Sequence, residues 1–494
     1  MLQPAVAAPP IADADIRAWW ATTSYLSSDA FEGRDTGSPG HARAAQAVAE
    51  RFRAAGLKPA GEHGYLQTLP LHEARVESEG TSFEVSRDAG RAVPLRFLHD
   101  ISVRATDALP AALDAPLSFR GYCSKAEIGP DMKGRIAVCF GGRRNGVPGG
   151  AERLAAAEAA GALGLIAVDD PGFTIEPARW PDAYARTVNF RGAPPSAAAT
   201  LASMRIGPEA FRKLVEGSGQ DPDKLLADGA ASRPLPGFDI PARLKAHFNL
   251  SRRDYGSDNV LGLLPGTDPT LKAQVVVVSA HLDGYGFGEP VDGDGLYNGA
   301  FDDAAYVATL IRLAEQRHGK GFRRSVLFAA FTGEEKGLLG SNWFVKHPTV
   351  ARADLAADIN LDQLRPLFPL KILTMHAIDN STLGATAKSV AADMGIEIRP
   401  DREPERRLNQ RADNWPFLSS GVPATGFVFG FDPGTEAERR YREWYRLRYH
   451  RPQDDMTQPI DFQAARDFNA FFYRLTEAVA DDPQRPAMLK PVGG

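Results

Sequence analysis

The chain has 494 residues, of which 43% are apolar and 24% charged, with a net charge of −5. This is the profile of a folded globular protein too long for one ordinary core, and no run approaches the length of a membrane-spanning helix. The mild negative charge carries no global basic signal, so no nucleic-acid partner is expected.

The first ten residues, Met1 to Pro10, are rich in Ala and Pro and lack a charged start and a long apolar run. They are no signal peptide but look like the stretch that follows one, so the expectation is an exported protein, periplasmic or secreted. From Asp13 to Leu57 the pattern is helical. Ile16, Trp19, Trp20 and Tyr25 lie near helical spacing. Beyond a Gly-rich turn at Gly33–Gly40, so do Ala44, Val48, Phe52 and Leu57.

The texture changes at about Val76. Short strand-like runs alternate with Gly/Pro turns: Thr81–Val85, Val93–Phe97, Leu117–Tyr122 and Arg135–Phe140. A helix over Ala151–Ala160 precedes a buried-type strand over Leu163–Val168, and Gly192–Ala202 reads as a loop. The only cysteines, Cys123 and Cys139, fall here. Two exclude a disulfide-built scaffold or a cysteine-rich zinc module, and leave open one disulfide or two thiols.

From Ser257 strands and helices alternate. Strands are expected at Val275–Ser279, Ser325–Phe331, Ala356–Leu361, Leu370–Met375 and Val422–Phe429. Helices are expected at Asp303–Gln316, Leu338–Lys346, Ser381–Met394 and Ala464–Ala480. The fold class is therefore α/β, a mainly parallel mixed sheet flanked by helices, with a small β-rich insert. The expected division is 13–75 and 249–484 for the main domain and 76–248 for the insert.

Five fragments carry chemistry, each near the end of a strand or in a turn, where such sheets gather functional groups. Val275–Ser279 runs into His281, with Asp283 two residues on to orient the imidazole. Asp302 and Asp303 precede a helix, where an Asp is ordinarily an N-cap but can also bridge two cations through its two oxygens. Glu334 and Glu335 follow a buried strand between glycines. Asp362 closes another strand, and Tyr449-His450 lies in a polar loop. Each fragment alone has an ordinary surface explanation. Together, two His and three carboxylates form the nitrogen–oxygen donor set that suits zinc. Dense arginines at 399–411 and 439–451 read as a salt-bridged surface, or as a site for an anionic substrate group.

These fragments resemble the di-zinc aminopeptidase family related to glutamate carboxypeptidase and the transferrin receptor ectodomain. The stretches Leu26–Gly40, Asn259–Gly266 and Arg411–Phe417 are similar to further family motifs. Met132–Val138 and Ala159–Ile166 resemble the family's inserted protease-associated domain. The resemblance implies two zinc ions: one on His281 and Asp362, one on Glu335 and His450, with Asp302 bridging. It makes Glu334 the general base, Tyr449 the oxyanion donor, Asp283 and Asp303 supporting residues, and Arg411 and Asp413 substrate contacts. The expected activity is a zinc-dependent aminopeptidase acting on a peptide or amide substrate. Alternatives on the same site are a carboxypeptidase, an N-acyl amino acid amidohydrolase, a glutaminyl cyclase-like enzyme or a non-catalytic binding relative. One departure is Ala305-Tyr306, where the family usually has Ser-Gly, which bears on the packing of the adjoining helix. Oligomeric state is not readable.

Overall fold

The computed structural model describes residues 11, 13–87, 92–142, 146–173, 180–194, 201–362 and 364–491. The Ala/Pro-rich start and residues 195–200 of the expected Gly192–Ala202 loop lie outside them. The chain divides into two compact units. The first comprises residues 1–69, 256–287 and 296–494; the second comprises 70–255 and 288–295.

The first unit is built on parallel strands. Val275–His281 is central, paired in parallel with Ser325–Phe331 on one side and Leu355–Asn360 on the other. All three strands are buried along their whole length, as expected of a parallel sheet covered on both faces. Ala424–Thr425 extends the parallel run, and Val260–Leu264 closes the other side antiparallel to Ser325–Phe331.

Helices supply the cover. Ala14–Leu26 starts at Asp13, whose side chain caps the first turn, and Pro39–Ala54 starts at Ser38 in the same way. Ile16, Trp19, Val48 and Phe52 from these helices join the core with Val276 and Val278. The helix Ala305–Arg317 also belongs to it. Tyr306, at the departure noted above, is buried edge-on against Phe468, 6.0 Å between ring centres. The Trp19 indole donates to the Ala305 carbonyl at 2.7 Å. The larger side chain is thus packed into the helix interface.

Several elements differ from expectation. Ile372–Met375 lies outside the main sheet, in a three-stranded sheet with Glu397–Arg399 and Phe427–Phe429. The run expected as one strand over Val422–Phe429 breaks at Gly426 into pieces that pair in different sheets. The helix Glu436–Leu447 was not expected, because charged residues dominate its composition. Its apolar face is only Tyr441, Trp444 and Tyr445, at i, i+3 and i+4.

In the second unit, Ala112–Arg120, Ile136–Phe140, Gly164–Val168 and Ala202–Ile206 form a parallel run. Ile101–Val103 closes one edge antiparallel, and residues 237–247 the other. Two helices, Pro208–Val215 and Pro222–Ala230, pack in its core but were not read from the sequence. Cys123 and Cys139 form a disulfide across a sequence separation of 16. Closing a loop of that length is worth about 3 kcal/mol. Cys123→Ser should therefore lower the thermal midpoint of this unit and remove its response to reductant. An unchanged midpoint, with or without reductant, would show that the bridge contributes nothing.

Candidate metal centre

The candidate residues converge because four chain segments end at one place. His281 is the last residue of its strand. Glu334 and Glu335 follow Ser325–Phe331 by three and four residues, and Asp362 follows Leu355–Asn360 by two. Asp302 sits in the irregular turn Ala300–Ala304. It makes no helix cap; the turn instead aims its carboxylate at two histidines. Asp302 Oδ1 is 3.2 Å from His281 Nε2, and Oδ2 is 3.3 Å from His450 Nε2. His450 Nε2 is also 3.3 Å from Glu335 Oε1.

Among the described residues, three groups of side chains could each hold an ion, with ligand atoms all within 4.8 Å of one another. They are His281, Asp302 and Asp362; His281, Glu334 and Glu335; and Asp302, Glu335 and His450. Asp302 belongs to two of them. Asp302 Oδ2 and Glu335 Oε1 are buried and accept no hydrogen bond. Buried carboxylate oxygens in that condition, facing imidazole nitrogens, are what a cation would satisfy.

The electrostatics agree. Burial pushes the Glu335 carboxyl up to about 8, and the nearby Asp302 charge adds to the shift. Burial also raises Glu334 and Asp303 well above the usual carboxylate range, reinforced in both cases by Asp362. Asp302 goes the other way: burial opposes its charge, but Arg365, then His281 and His450, hold it well below that range. Too many carboxylates share one dry volume for all of them to ionise without an added cation.

The supporting residues have definite jobs. Asp283 meets the His281 ring through its main-chain carbonyl, 3.0 Å from Nδ1, and its carboxylate stands 3.7 Å away. That carboxylate instead accepts from Glu334 N at 3.0 Å and Thr36 Oγ1 at 2.9 Å, tying two loops together. Asp303 Oδ2 accepts from the His281 main-chain N at 3.0 Å. Arg411 donates to the Tyr449 hydroxyl at 3.2 Å. Asp413 is buried and accepts from Ser341 Oγ, and burial pushes its carboxyl up to about 7. The other arginines named in the two dense stretches mostly pair with surface acids, such as Arg399 with Glu397 and Asp432.

With this geometry in place, the sequence comparisons are direct. Residues 259–476 match the sequence model of peptidase family M28. The match covers less than half of the chain. The resemblance read from the motifs is to the same family. The chain is 22% identical over 350 residues to the probable leucine aminopeptidase 2 of Aspergillus oryzae, covering 68% of this chain and 60% of the fungal protein. It thus spans less than two thirds of that relative. Two solved structures share the fold. One is the aminopeptidase of Aneurinibacillus sp. strain AM-1, with a TM-score of 0.63, 18% identity and coverage of 97% and 96% of the two chains. The other is BSAP, a zinc aminopeptidase of Bacillus subtilis, with a TM-score of 0.61, 19% identity and coverage of 95% and 96%.

Three residues that organise the candidate site escaped the sequence reading. Arg34, fully buried, donates to the carbonyls of Leu26, Leu282, Asn298 and Gly299. Burial lowers it to about 10. It joins the loop after His281 to the turn before Asp302. Asp454 accepts from Phe301 N at 3.0 Å and Asp302 N at 2.9 Å, and so fixes the bridging turn. Arg365, also fully buried, lies 3.5 Å from Asp302 Oδ2 and donates to the carbonyls of Phe301 and Asp362. Arg34 lies within the family-like opening stretch, and Asp454 four residues past His450; neither position had a chemical reason to stand out. An Arg34→Lys variant keeps the charge, but one ammonium cannot span four carbonyls. Each lost charge-assisted bond costs about 1.5–3 kcal/mol. A lowered thermal midpoint and reduced metal uptake are expected, and a variant matching the native protein in both would remove Arg34 from this role.

Proposed function

We propose that the chain is a zinc-dependent aminopeptidase that hydrolyses the N-terminal peptide bond of its substrates. The observation that carries this reading is the sharing of Asp302 between the His281/Asp362 group and the Glu335/His450 group. A carboxylate common to two donor sets is the arrangement a two-metal hydrolase needs. In this reading His281 and Asp362 hold one zinc ion, Glu335 and His450 the other, and Asp302 both. Two zinc ions bound there would supply Lewis acidity and ease the ionisation of a water molecule.

The protein residues divide the remaining work. Glu334 takes the proton of the attacking water and delivers it to the amine nitrogen as the C–N bond breaks. Burial raises its carboxyl well above the usual carboxylate range, so it holds a proton more readily than an exposed glutamate does. Tyr449 donates to the carbonyl oxygen as negative charge builds there, and Arg411 polarises that hydroxyl by donating to it. Asp283 positions the Glu334 main chain, and Asp303 the His281 main chain. Asp413 accepts from Ser341 in the helix Leu339–Lys346, which follows the Glu334 loop.

The second unit is read as an inserted protease-associated-like domain over residues 76–248. The disulfide within it favours an exported, periplasmic or secreted protein. No helix among the described residues is long and apolar enough to cross a membrane. A second reading, a carboxypeptidase, is favoured by Arg411, whose guanidinium beside Tyr449 could hold a substrate carboxylate.

A panel of aminoacyl nitroanilides, N-blocked peptides and peptides with free C-termini tests the activity with zinc present. Turnover of the free-amine substrates is expected, and cleavage of N-blocked peptides alone would overturn the aminopeptidase. Glu334→Gln should keep its zinc and lose about 100-fold or more in kcat. Native turnover in that variant would mean that another group is the base.

A further inference from the structure

Tyr285 lies in the loop that leaves the strand Val275–His281, and the sequence reading gave it no role. Its hydroxyl is 2.7 Å from Nδ1 of His450. The other ring nitrogen of His450, Nε2, faces Asp302 and Glu335 at 3.3 Å each. The two edges of this imidazole therefore have separate partners, carboxylates on one side and a phenol on the other. A neutral histidine that gives Nε2 to a cation carries its proton on Nδ1, and the group facing Nδ1 must then accept. A phenol oxygen can do so.

Tyr285 is itself held in place. The Lys336 ammonium lies 4.7 Å from the centre of its ring. That ammonium is fixed in turn by Asp35 at 3.4 Å and by the Gly284 carbonyl at 3.2 Å, and the Lys336 side chain is only 3% exposed. The next residue, Gly286, has φ +68, and a Cβ there would come within 2.6 Å of Asp35 Cβ. The loop is thus pinned on both sides of the tyrosine. The His450 ring is flanked by Tyr285 at 4.6 Å and Tyr449 at 3.8 Å between ring centres.

We propose that Tyr285 is a positioning residue for the Glu335/His450 metal site: its hydroxyl accepts the Nδ1 proton of His450 and so presents Nε2 to the cation shared with Asp302 and Glu335. The proposal rests on the reading of His450 as a ligand. Tyr285 has no part in bond making or breaking, and it acts through the orientation and tautomer of His450. Lys336, adjacent to Glu335 in sequence, links this loop to the Glu-Glu loop by packing on the tyrosine face.

The test compares native protein, Tyr285→Phe and His450→Ala in zinc titrations against a chromophoric chelator, with zinc counted by mass spectrometry. Tyr285→Phe should bind the first zinc as the native protein does and the second about 10- to 100-fold more weakly. His450→Ala should lose the second zinc altogether. The zinc-free Tyr285→Phe protein should melt only a few degrees below the native protein, the effect of losing one hydrogen bond worth about 1 kcal/mol. If Tyr285→Phe holds both zinc ions as tightly as the native protein while His450→Ala loses one, Tyr285 does not position His450 and the ligand assignment stands. If His450→Ala binds both ions normally, the ligand assignment fails and this proposal falls with it. Equal weakening of both ions together with a zinc-free midpoint lowered well beyond those few degrees would mark Tyr285 as a general structural residue and overturn the proposal.

Discussion

Like charges crowded out of water are the constraint around which this structure is organised. The buried Asp302, Asp303 and Asp362 meet the half-buried Glu334 and Glu335, with Asp283, Asp413 and Asp454 close behind. Carboxylates in that position must be neutralised, hydrogen-bonded or given a cation. The fold supplies part of the answer in Arg365 beside Asp302, Arg34 behind the ligand loops and Lys336 beside Glu335. The raised carboxyls of Glu335, Asp413 and Asp454 show that these fixed cations do not complete it. The remaining demand for positive charge is what supports reading the cluster as a metal centre rather than a buried salt-bridge network.

The division of labour between strands and loops follows from this. The parallel strands Val275–His281, Ser325–Phe331 and Leu355–Asn360 are buried along their length and bring the candidate residues at or just past their ends to one place, with Asp303 and Asp283 fixing the main chain at His281 and Glu334. The turn around Asp302 has no such frame. It is held from outside by Asp454 on its main-chain N–H groups and by Arg34 and Arg365 on its carbonyls. A bridging ligand must satisfy two donor sets at once, so its placement tolerates the least error. That is where the structure spends its buried hydrogen bonds.

Much of the sheet was legible because its signal is local. Four valines before His281, and an apolar run ending at Phe331, announce buried parallel strands from composition alone. The candidate ligands were legible for the same reason, each sitting just past such a run. The helix Glu436–Leu447 was not, since its buried face is only Tyr441, Trp444 and Tyr445 amid mostly charged residues. The long strand Gly237–Leu264 was also missed. Ile240, Ala242, Leu244, Ala246 and Phe248 alternate inward, but Pro241 and the charged Arg243 and Lys245 between them obscure the alternation. Arg34, Asp454, Arg365 and Tyr285 form another class. Their partners are main-chain groups or side chains distant in sequence, so nothing in their own neighbourhoods distinguishes them from surface residues.

Crystals of the protein loaded with zinc, measured at the zinc absorption edge, test the central claim most directly. The account predicts two anomalous peaks about 3.5–4 Å apart. One should lie against His281 and Asp362, the other against Glu335 and His450, and both should touch Asp302. A single peak, or a pair that leaves Asp302 out, would contradict it.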